Sequence, residues 1–195
     1  RINWRATARH DAGHLQWLFT NEFEQERIAD VGLILDARQQ SDVRLPEGSL
    51  FEYSVRAAAS LADAFISTGN RVGLLTYGGS IERTFPGYGK VQRERILRAL
   101  AQAEPGGNYA LANLDYLSTR FFPPRSQVVL ISPLTEDDPR VLVHLKACGY
   151  QVMIISPDPI ELEAQMFAPG TGSPDPALKL ATRIARVERK LLLRK

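Results

Sequence analysis

Four short runs of the chain are apolar at nearly every position and lack the polar face of an exposed strand. They cover residues 30–36 (DVGLILD), 71–77 (RVGLLTY), 127–132 (QVVLIS) and 151–156 (QVMIIS). A strand that is apolar on both sides is typical of a parallel sheet with helices on its two faces. These runs predict four buried strands of one sheet, with the run at 30–36 at its centre.

The segments between these runs carry apolar residues at helical spacing. Helices are predicted over residues 49–68, 91–103, 110–117, 137–148, 157–167 and 177–195. Gly69-Asn70 supplies a stop signal for the first of them, and Asp137 or Asp138 a cap for the fourth. Strands that alternate with amphipathic helices favour a doubly wound, mostly parallel Rossmann-like α/β sheet with helices on both faces.

Two further segments have the pattern of less buried strands. Residues 15–23 place aromatic side chains at alternate positions, which predicts an antiparallel or edge strand. Residues 81–85 follow the Gly78-Gly79 turn and are expected to close a hairpin. The whole chain, residues 1–195, is expected to form one domain.

Composition narrows the class of protein. The 195 residues are 44% hydrophobic with a formal net charge of +2, too small to argue for nucleic-acid binding by itself. The one cysteine, Cys148, excludes an internal disulfide and is expected to be a small buried residue at a helix end. No apolar run is long enough to span a membrane.

The usual signatures of catalysis are missing from the sequence. There is no Walker A motif and no Gly-x-Gly-x-x-Gly after the first strand. Ser132 and Ser156 end predicted strands, but neither lies in the Gly-x-Ser-x-Gly elbow of α/β hydrolases. The histidines (His10, His14 and His144) are scattered. We therefore expect a protein that is not an enzyme.

Several motifs in combination resemble the domain of unknown function 58 family. They are INWRATAR at 2–9, NEFEQER at 21–27, DVGLILDAR at 30–38, RVGLLTYG at 71–78, RILRALA at 95–101 and RIARVERKLLLR at 183–194. The resemblance implies a von Willebrand factor type A-like fold within a longer, membrane-associated bacterial or archaeal protein. It also implies that the domain faces the cytoplasm and works with a MoxR-type AAA+ ATPase.

Von Willebrand type A domains often bind a divalent cation through loops at the carboxyl ends of their strands. Their first loop reads Asp-x-Ser-x-Ser, and the matching residues here are Asp36, Arg38 and Gln40. The threonine of the second loop is replaced by Asn108, and the aspartate register of the third loop holds Pro133. Arginine opposes a cation and would pair with the aspartate. The resemblance thus implies a degenerate metal site with no cofactor.

An alternative keeps a magnesium or manganese ion in a rearranged shell. Its ligands would be Asp36, Ser41, Asn108 and Thr135, all of which offer oxygen atoms. This version describes a metal-dependent adhesion domain. If the metal site is instead degenerate, Asp36 and Arg38 form an ion pair that stiffens the former metal loop.

Two surfaces are candidates for partner binding. One is a protein-binding surface, expected to use Arg38, Gln40, Asn108 and Thr135 at the carboxyl edge of the sheet, together with Phe85 and Tyr88 on the segment 78–89. The other is the C-terminal helix, where basic residues surround a stripe formed by Leu180, Ile184, Val187 and Leu191. That helix leaves open a third possibility, binding to anionic lipid or nucleic acid.

Overall fold

The computed structural model of the chain describes residues 29–45, 48–107, 121–136, 138–166 and 176–194. The strand predicted over 15–23, the helix predicted over 110–117 and the candidate Asn108 lie outside these ranges. All structural statements below concern the described residues.

A five-stranded sheet forms the centre of the domain. Its strands are β1 (Asp30–Asp36), β4 (Arg71–Tyr77), β5 (Ile81–Gly87), β6 (Gln127–Ile131) and β7 (Gln151–Ile155), and their order is β5-β4-β1-β6-β7. β1 pairs in parallel with both β4 and β6, and β7 pairs in parallel with β6. The run at 30–36 is therefore the central strand, as its apolar pattern predicts.

Two smaller strands, five α-helices and a short 3-10 helix at Gln39–Ser41 complete the described structure. The strands β2 (Arg44–Leu45) and β3 (Gly48–Ser49) form a small antiparallel pair. The helices are α1 (Leu50–Ser67), α2 (Gly89–Gln102), α3 (Asp138–Ala147), α4 (Pro159–Met166) and α5 (Pro176–Leu192). Ser49 caps α1, since its hydroxyl accepts a hydrogen bond from the Glu52 amide.

Apolar side chains form a buried cluster on each face of the sheet. On one face, Leu33 and Leu35 of β1 pack in a cluster with Ala58 of α1 and Ile96 of α2. On the other, Ile34 of β1 lies in a second cluster, whose members include Phe122, Leu130, Val141 and Leu145. Adjacent β1 residues thus belong to opposite cores, which is why the strand has no polar face. The predicted doubly wound α/β fold is confirmed.

Three sequence-based expectations about burial and extent differ from the structure. β5 continues to Gly87 and contains Pro86, which lies where the pairing with β4 shifts register between Val72 and Leu74, a place in a sheet that tolerates proline. β7 is not buried: Met153 and Ile154 are 45% and 41% exposed, because among the described strands β7 is the last of the sheet and pairs with β6 alone. Cys148 is exposed in the turn after α3.

Candidate functional site

The carboxyl ends of the central strands hold a buried cluster of charged side chains. Asp36 is the last residue of β1, Arg38 follows it in the loop, and Asp138 is the first residue of α3. The side chains of Asp36, Arg38 and Asp138 are 0%, 2% and 1% exposed. Parallel strands bring their carboxyl ends to one edge, so residues 100 positions apart meet there.

Asp36 accepts hydrogen bonds on both of its carboxylate oxygens. Oδ1 accepts from the backbone amide of Arg38 at 2.9 Å and from its Nε at 3.0 Å. Oδ2 accepts from Arg38 Nη2 at 2.7 Å, from Ser41 Oγ at 2.8 Å and from Ser132 Oγ at 2.7 Å. The carboxylate is thereby surrounded by donors of this chain.

Arg38 bridges the two carboxylates with two pairs of hydrogen bonds. Its Nε and Nη2 atoms bind Asp36, while Nη1 and Nη2 bind Asp138 Oδ1 and Oδ2 at 3.2 and 2.8 Å. Paired contacts of this kind match the planar fork of a guanidinium to a carboxylate and fix its orientation. The Thr135 amide also donates to Asp138 Oδ2, at 2.7 Å.

Electrostatics keep the arginine charged. Burial opposes the charged form, but hydrogen bonds to Asp36 and then Asp138 outweigh it, so the pKa of Arg38 lies above its ordinary value. Two carboxylates and one guanidinium make up the triad of Asp36, Arg38 and Asp138, and the hydroxyls of Ser41 and Ser132 both donate to Asp36.

Tyr77 forms one wall of the site. The Arg38 guanidinium carbon lies 5.3 Å from the centre of the Tyr77 ring, within the range of a cation–π contact. The hydroxyl lies near Ser132 but meets no hydrogen-bond geometry among the described residues. Burial and then the charge of Asp36 raise the pKa of Tyr77 well above its ordinary value, so the phenol stays neutral.

Backbone contacts hold the surrounding loops together. The Ala37 amide donates to Tyr77 O at 2.7 Å, the Gly106 amide to Ala37 O at 2.9 Å, and the Gln39 amide to Gly107 O at 3.0 Å. A Cβ atom on Gly78 would lie 2.3 Å from Ala37 O, so only glycine lets these segments approach so closely. The loops form one cross-linked unit.

Comparison with known families identifies the chain. The family described as "Protein of unknown function DUF58" matches over residues 1–170. The chain belongs to this family. No curated protein matches it.

Solved structures similar to this DUF58 chain share its fold at low sequence identity. BatB from Bacteroides thetaiotaomicron, a conserved hypothetical protein, is 19% identical with a TM-score of 0.51, and the match covers 66% of each chain. An aerotolerance-related membrane protein from Bacteroides fragilis NCTC 9343, with multiple mutations to serine, is 18% identical with a TM-score of 0.51. That match covers 76% of this chain and 78% of the other.

The DUF58 chain brings together most of the residues predicted for the carboxyl edge. The predicted ion pair between Asp36 and Arg38 is present, and Ser41 and Thr135 both contact the triad. Gln40 is exposed beside it, and the carbonyl of Pro133 accepts a hydrogen bond from Arg189.

Phe85 and Tyr88 lie away from the carboxyl edge of the sheet. Because β5 runs antiparallel to β4, Gly87 pairs with Val72 at the amino end of β4, while Asp36 and Tyr77 end their strands at the other edge. Phe85 is 67% exposed and its ring lies edge-on to Phe121. The two aromatic residues therefore form a separate surface.

Sequence reasoning missed the second carboxylate. From the sequence Asp138 is only a candidate cap, and the third loop is expected to lack a carboxylate because Pro133 occupies the aspartate register. The available signal was position: Asp138 precedes Pro139 at a helix start, six residues after Ser132 at the end of β6. A side chain there can reach back to the carboxyl edge of the sheet.

No other cluster with metal-binding chemistry occurs in the ranges that the structure describes. Within them, no group of three or more histidine, cysteine, aspartate or glutamate side chains could hold a metal ion. His144 and Cys148 lie one helical turn apart, with Nε2 and Sγ separated by 3.5 Å, and both are exposed. Among the helices of this part of the chain, none has the length and apolar character to cross a bilayer.

Proposed function

We propose that this DUF58 chain is a non-enzymatic protein-interaction domain with a von Willebrand factor type A-like fold and a metal site replaced by an internal ion network. The observation that carries the proposal is the guanidinium of Arg38, hydrogen-bonded to the carboxylates of both Asp36 and Asp138. A permanent cation of the protein then stands where a divalent ion would bridge these residues.

The hydrogen bonds of Asp36 support a metal-independent site. A bound magnesium or manganese ion would need carboxylate oxygens that now accept from Arg38, Ser41 and Ser132. It would also repel a guanidinium bound to the same oxygens, and the arginine cannot lose its charge at physiological pH. The rearranged shell is disfavoured for the same reason, because it shares Asp36 as a ligand.

The chemistry of the site supports binding over catalysis. The two buried serines of the cluster, Ser41 and Ser132, both donate to Asp36, and Ser132 also accepts from the Leu134 amide, an arrangement that fixes the loops. A serine nucleophile needs a base within hydrogen-bond reach and a third group that orients the base. Around Ser132, the described residues supply a carboxylate and backbone amides instead of such a base with its orienting group.

Rigid loops around the triad offer a polar surface to a partner. Gln39, Gln40, Ser80 and Glu136 are exposed at this edge, and Thr135 is half-buried beside them. Next to Thr135, a groove of about 700 Å³ runs between the loop after β6 and the helices α4 and α5. Loops held by hydrogen bonds and a buried ion network lose little conformational entropy on binding, which favours recognition of a protein surface.

The family resemblance suggests the class of partner. We take it to be a MoxR-type AAA+ ATPase, encountered at the cytoplasmic face of a membrane by a longer protein that contains this domain. The chain would then act as an adaptor, with the carboxyl edge of its sheet as the contact surface.

The test is binding of the 195-residue chain to a MoxR-type ATPase from the same organism, measured by calorimetry with and without EDTA. We expect the same affinity in both conditions. We also expect the double variant Gln40→Arg/Thr135→Arg to raise Kd at least tenfold, since two bulky charges would obstruct the edge.

A matched variant at the other end of the sheet serves as control. Phe85→Arg/Tyr88→Arg adds the same side chains to exposed positions away from the triad and should leave Kd within about twofold. Loss of binding in EDTA, or loss in the aromatic variant with retention in the Gln40/Thr135 variant, would overturn the proposal.

A further inference from the structure

The C-terminal helix α5 turns an apolar stripe away from the domain. Leu180, Ile184, Val187 and Leu191 follow one another at spacings of four, three and four residues, and each is 51–59% exposed. A helix of 17 residues is about 25 Å long, so the stripe runs along most of one side. We propose that this stripe and the cations beside it bind the surface of a bilayer that contains anionic lipids.

The opposite face of α5 is fixed to the domain. Its half-buried residues are Leu178, Thr182, Ala185, Arg189 and Leu192, again spaced by four and three. Arg189 donates to Pro133 O at 2.9 Å, to Ser156 Oγ at 2.9 Å and to Pro157 O at 2.8 Å. Because these hydrogen bonds of Arg189 hold the inner face of α5 against the domain, the helix does not rotate about its axis to bury the exposed stripe.

Cations line one side of the exposed stripe. At 100° per residue, the side chains of Lys179, Arg183, Lys190 and Arg194 fall on the same flank, next to Val187. All four are exposed. Arg186 lies further round the helix and is paired with Glu161 at 2.7 Å. The exposed half of α5 is thus divided lengthwise into an apolar strip and a basic strip.

This division matches the two layers of an anionic bilayer surface. Aliphatic side chains enter the boundary between headgroups and acyl chains, and basic residues contact the headgroups above it. Each lysine or arginine near such a surface contributes about 1 kcal/mol. One surface therefore satisfies both strips of the helix at once.

A second copy of the chain fits the same helix less well. Stripe-to-stripe pairing would place four cations per copy at the contact, and Glu188 is the only acidic residue between positions 176 and 194. A stable interface also buries about 800 Å² on each partner. Four half-exposed aliphatic side chains on one helix supply well under that area.

The test is sedimentation of the chain with vesicles of neutral phosphatidylcholine, alone or mixed with 30% phosphatidylglycerol. We expect binding to the mixed vesicles only, weakening as salt screens the charges. The variant Lys179→Glu/Arg183→Glu/Lys190→Glu should reduce the partition coefficient at least about 100-fold, because the loss of three favourable contacts of about 1 kcal/mol each already corresponds to that factor. The variant Leu180→Gln/Ile184→Gln/Leu191→Gln should also lose binding.

A variant of equal charge change controls for net charge. Lys90→Glu/Arg95→Glu/Arg98→Glu reverses three exposed cations on α2, and we expect it to bind the mixed vesicles like the wild type. Melting curves of all variants should coincide within a few degrees, since Arg189 and the inner face of α5 are unchanged.

Several results would overturn the proposal. The first is that the chain binds neutral and anionic vesicles equally well, and the second is that the α2 and α5 charge variants lose vesicle binding to the same extent. The third is that the wild-type chain binds no vesicles at all. A stripe-dependent dimer in light scattering, or tighter binding to duplex DNA than to anionic vesicles, would assign the surface to another partner and reject a lipid role.

Discussion

Arg38 is a buried cation whose removal leaves two carboxylates without a counterion. We expect Arg38→Met to lower the free energy of unfolding by about 3–5 kcal/mol, the usual cost of breaking a buried ion pair by deleting one partner. Urea denaturation measures this change. The triple variant Asp36→Asn/Arg38→Met/Asp138→Asn removes all three charges and should recover at least half of the loss.

An exposed ion pair supplies the comparison. Arg93 pairs with Asp63, and their side chains are 47% and 50% exposed. Because water screens this pair, Arg93→Met should change the free energy of unfolding by less than about 1 kcal/mol. If the Arg38 and Arg93 variants lost equal stability, the triad would not be the stabilising network that its geometry indicates.

Tyr77 gives the site a dependence on alkaline pH. Its pKa in the folded protein is raised above the ordinary 10.0, so the unfolded chain loses the phenolic proton first. Stability from the neutral phenol is therefore complete below pH 10 and falls as the pH rises beyond it, by up to about 1.4 kcal/mol per pH unit.

Tyr77→Phe removes this dependence. Unfolding free energies measured in urea from pH 8 to pH 11 should fall less steeply for the variant above pH 10. At pH 8 the two proteins should differ by less than about 1 kcal/mol, since the hydroxyl makes no hydrogen bond among the described residues. Identical slopes above pH 10 would contradict the buried, neutral phenol.

Sequence reasoning located two of the three members of the triad. Asp36 and Arg38 are two residues apart at the end of a strong strand pattern, so their pairing could be predicted from local chemistry. Asp138 lies 100 residues away, and its contact depends on the path of the loop after β6, which no local pattern specifies. The donor Ser132 likewise reaches Asp36 across 96 residues, whereas Ser41 lies five residues from Asp36 in the same loop.

At the scale of elements, glycines at the carboxyl edge control how closely the loops approach. Gly78→Ala would place a Cβ atom 2.3 Å from Ala37 O and should cost about 1–3 kcal/mol of unfolding free energy by overpacking. Gly106→Ala in the adjoining segment has its nearest atom, Gly79 Cα, at 4.0 Å and should be close to neutral. Thermal denaturation of both variants checks the difference, and equal melting temperatures would contradict the close packing.

The apolar pattern predicts which segments form strands better than it predicts where each strand lies in the sheet. β1, β4 and β6 are buried on both faces, as their sequences indicate. β7 has the same apolar composition but is the last of the described strands of the sheet, and local composition does not show how many neighbours a strand has. In α5 the apolar stripe is exposed, and the helix packs against the domain through a different side.

At the scale of the molecule, the fold separates its surfaces. The triad and its loops occupy the carboxyl edge of the sheet, Phe85 and Tyr88 lie toward the opposite edge, and α5 is attached beside the triad through Arg189. A domain arranged in this way could bind a protein at the carboxyl edge while α5 lies on a membrane. The Gln40/Thr135 variant and the Lys179/Arg183/Lys190 variant should accordingly affect protein binding and vesicle binding independently, because those three α5 cations lie outside the groove beside Thr135.

The claim that Arg38 replaces a metal ion has a direct test in the melting temperature of the wild-type chain. We expect it to be the same, within about 1 °C, in EDTA, in 5 mM magnesium and in 5 mM manganese, because a ligand that does not bind the native state cannot stabilise it. A large, saturable rise with either ion would show that the site still binds metal and would contradict the account.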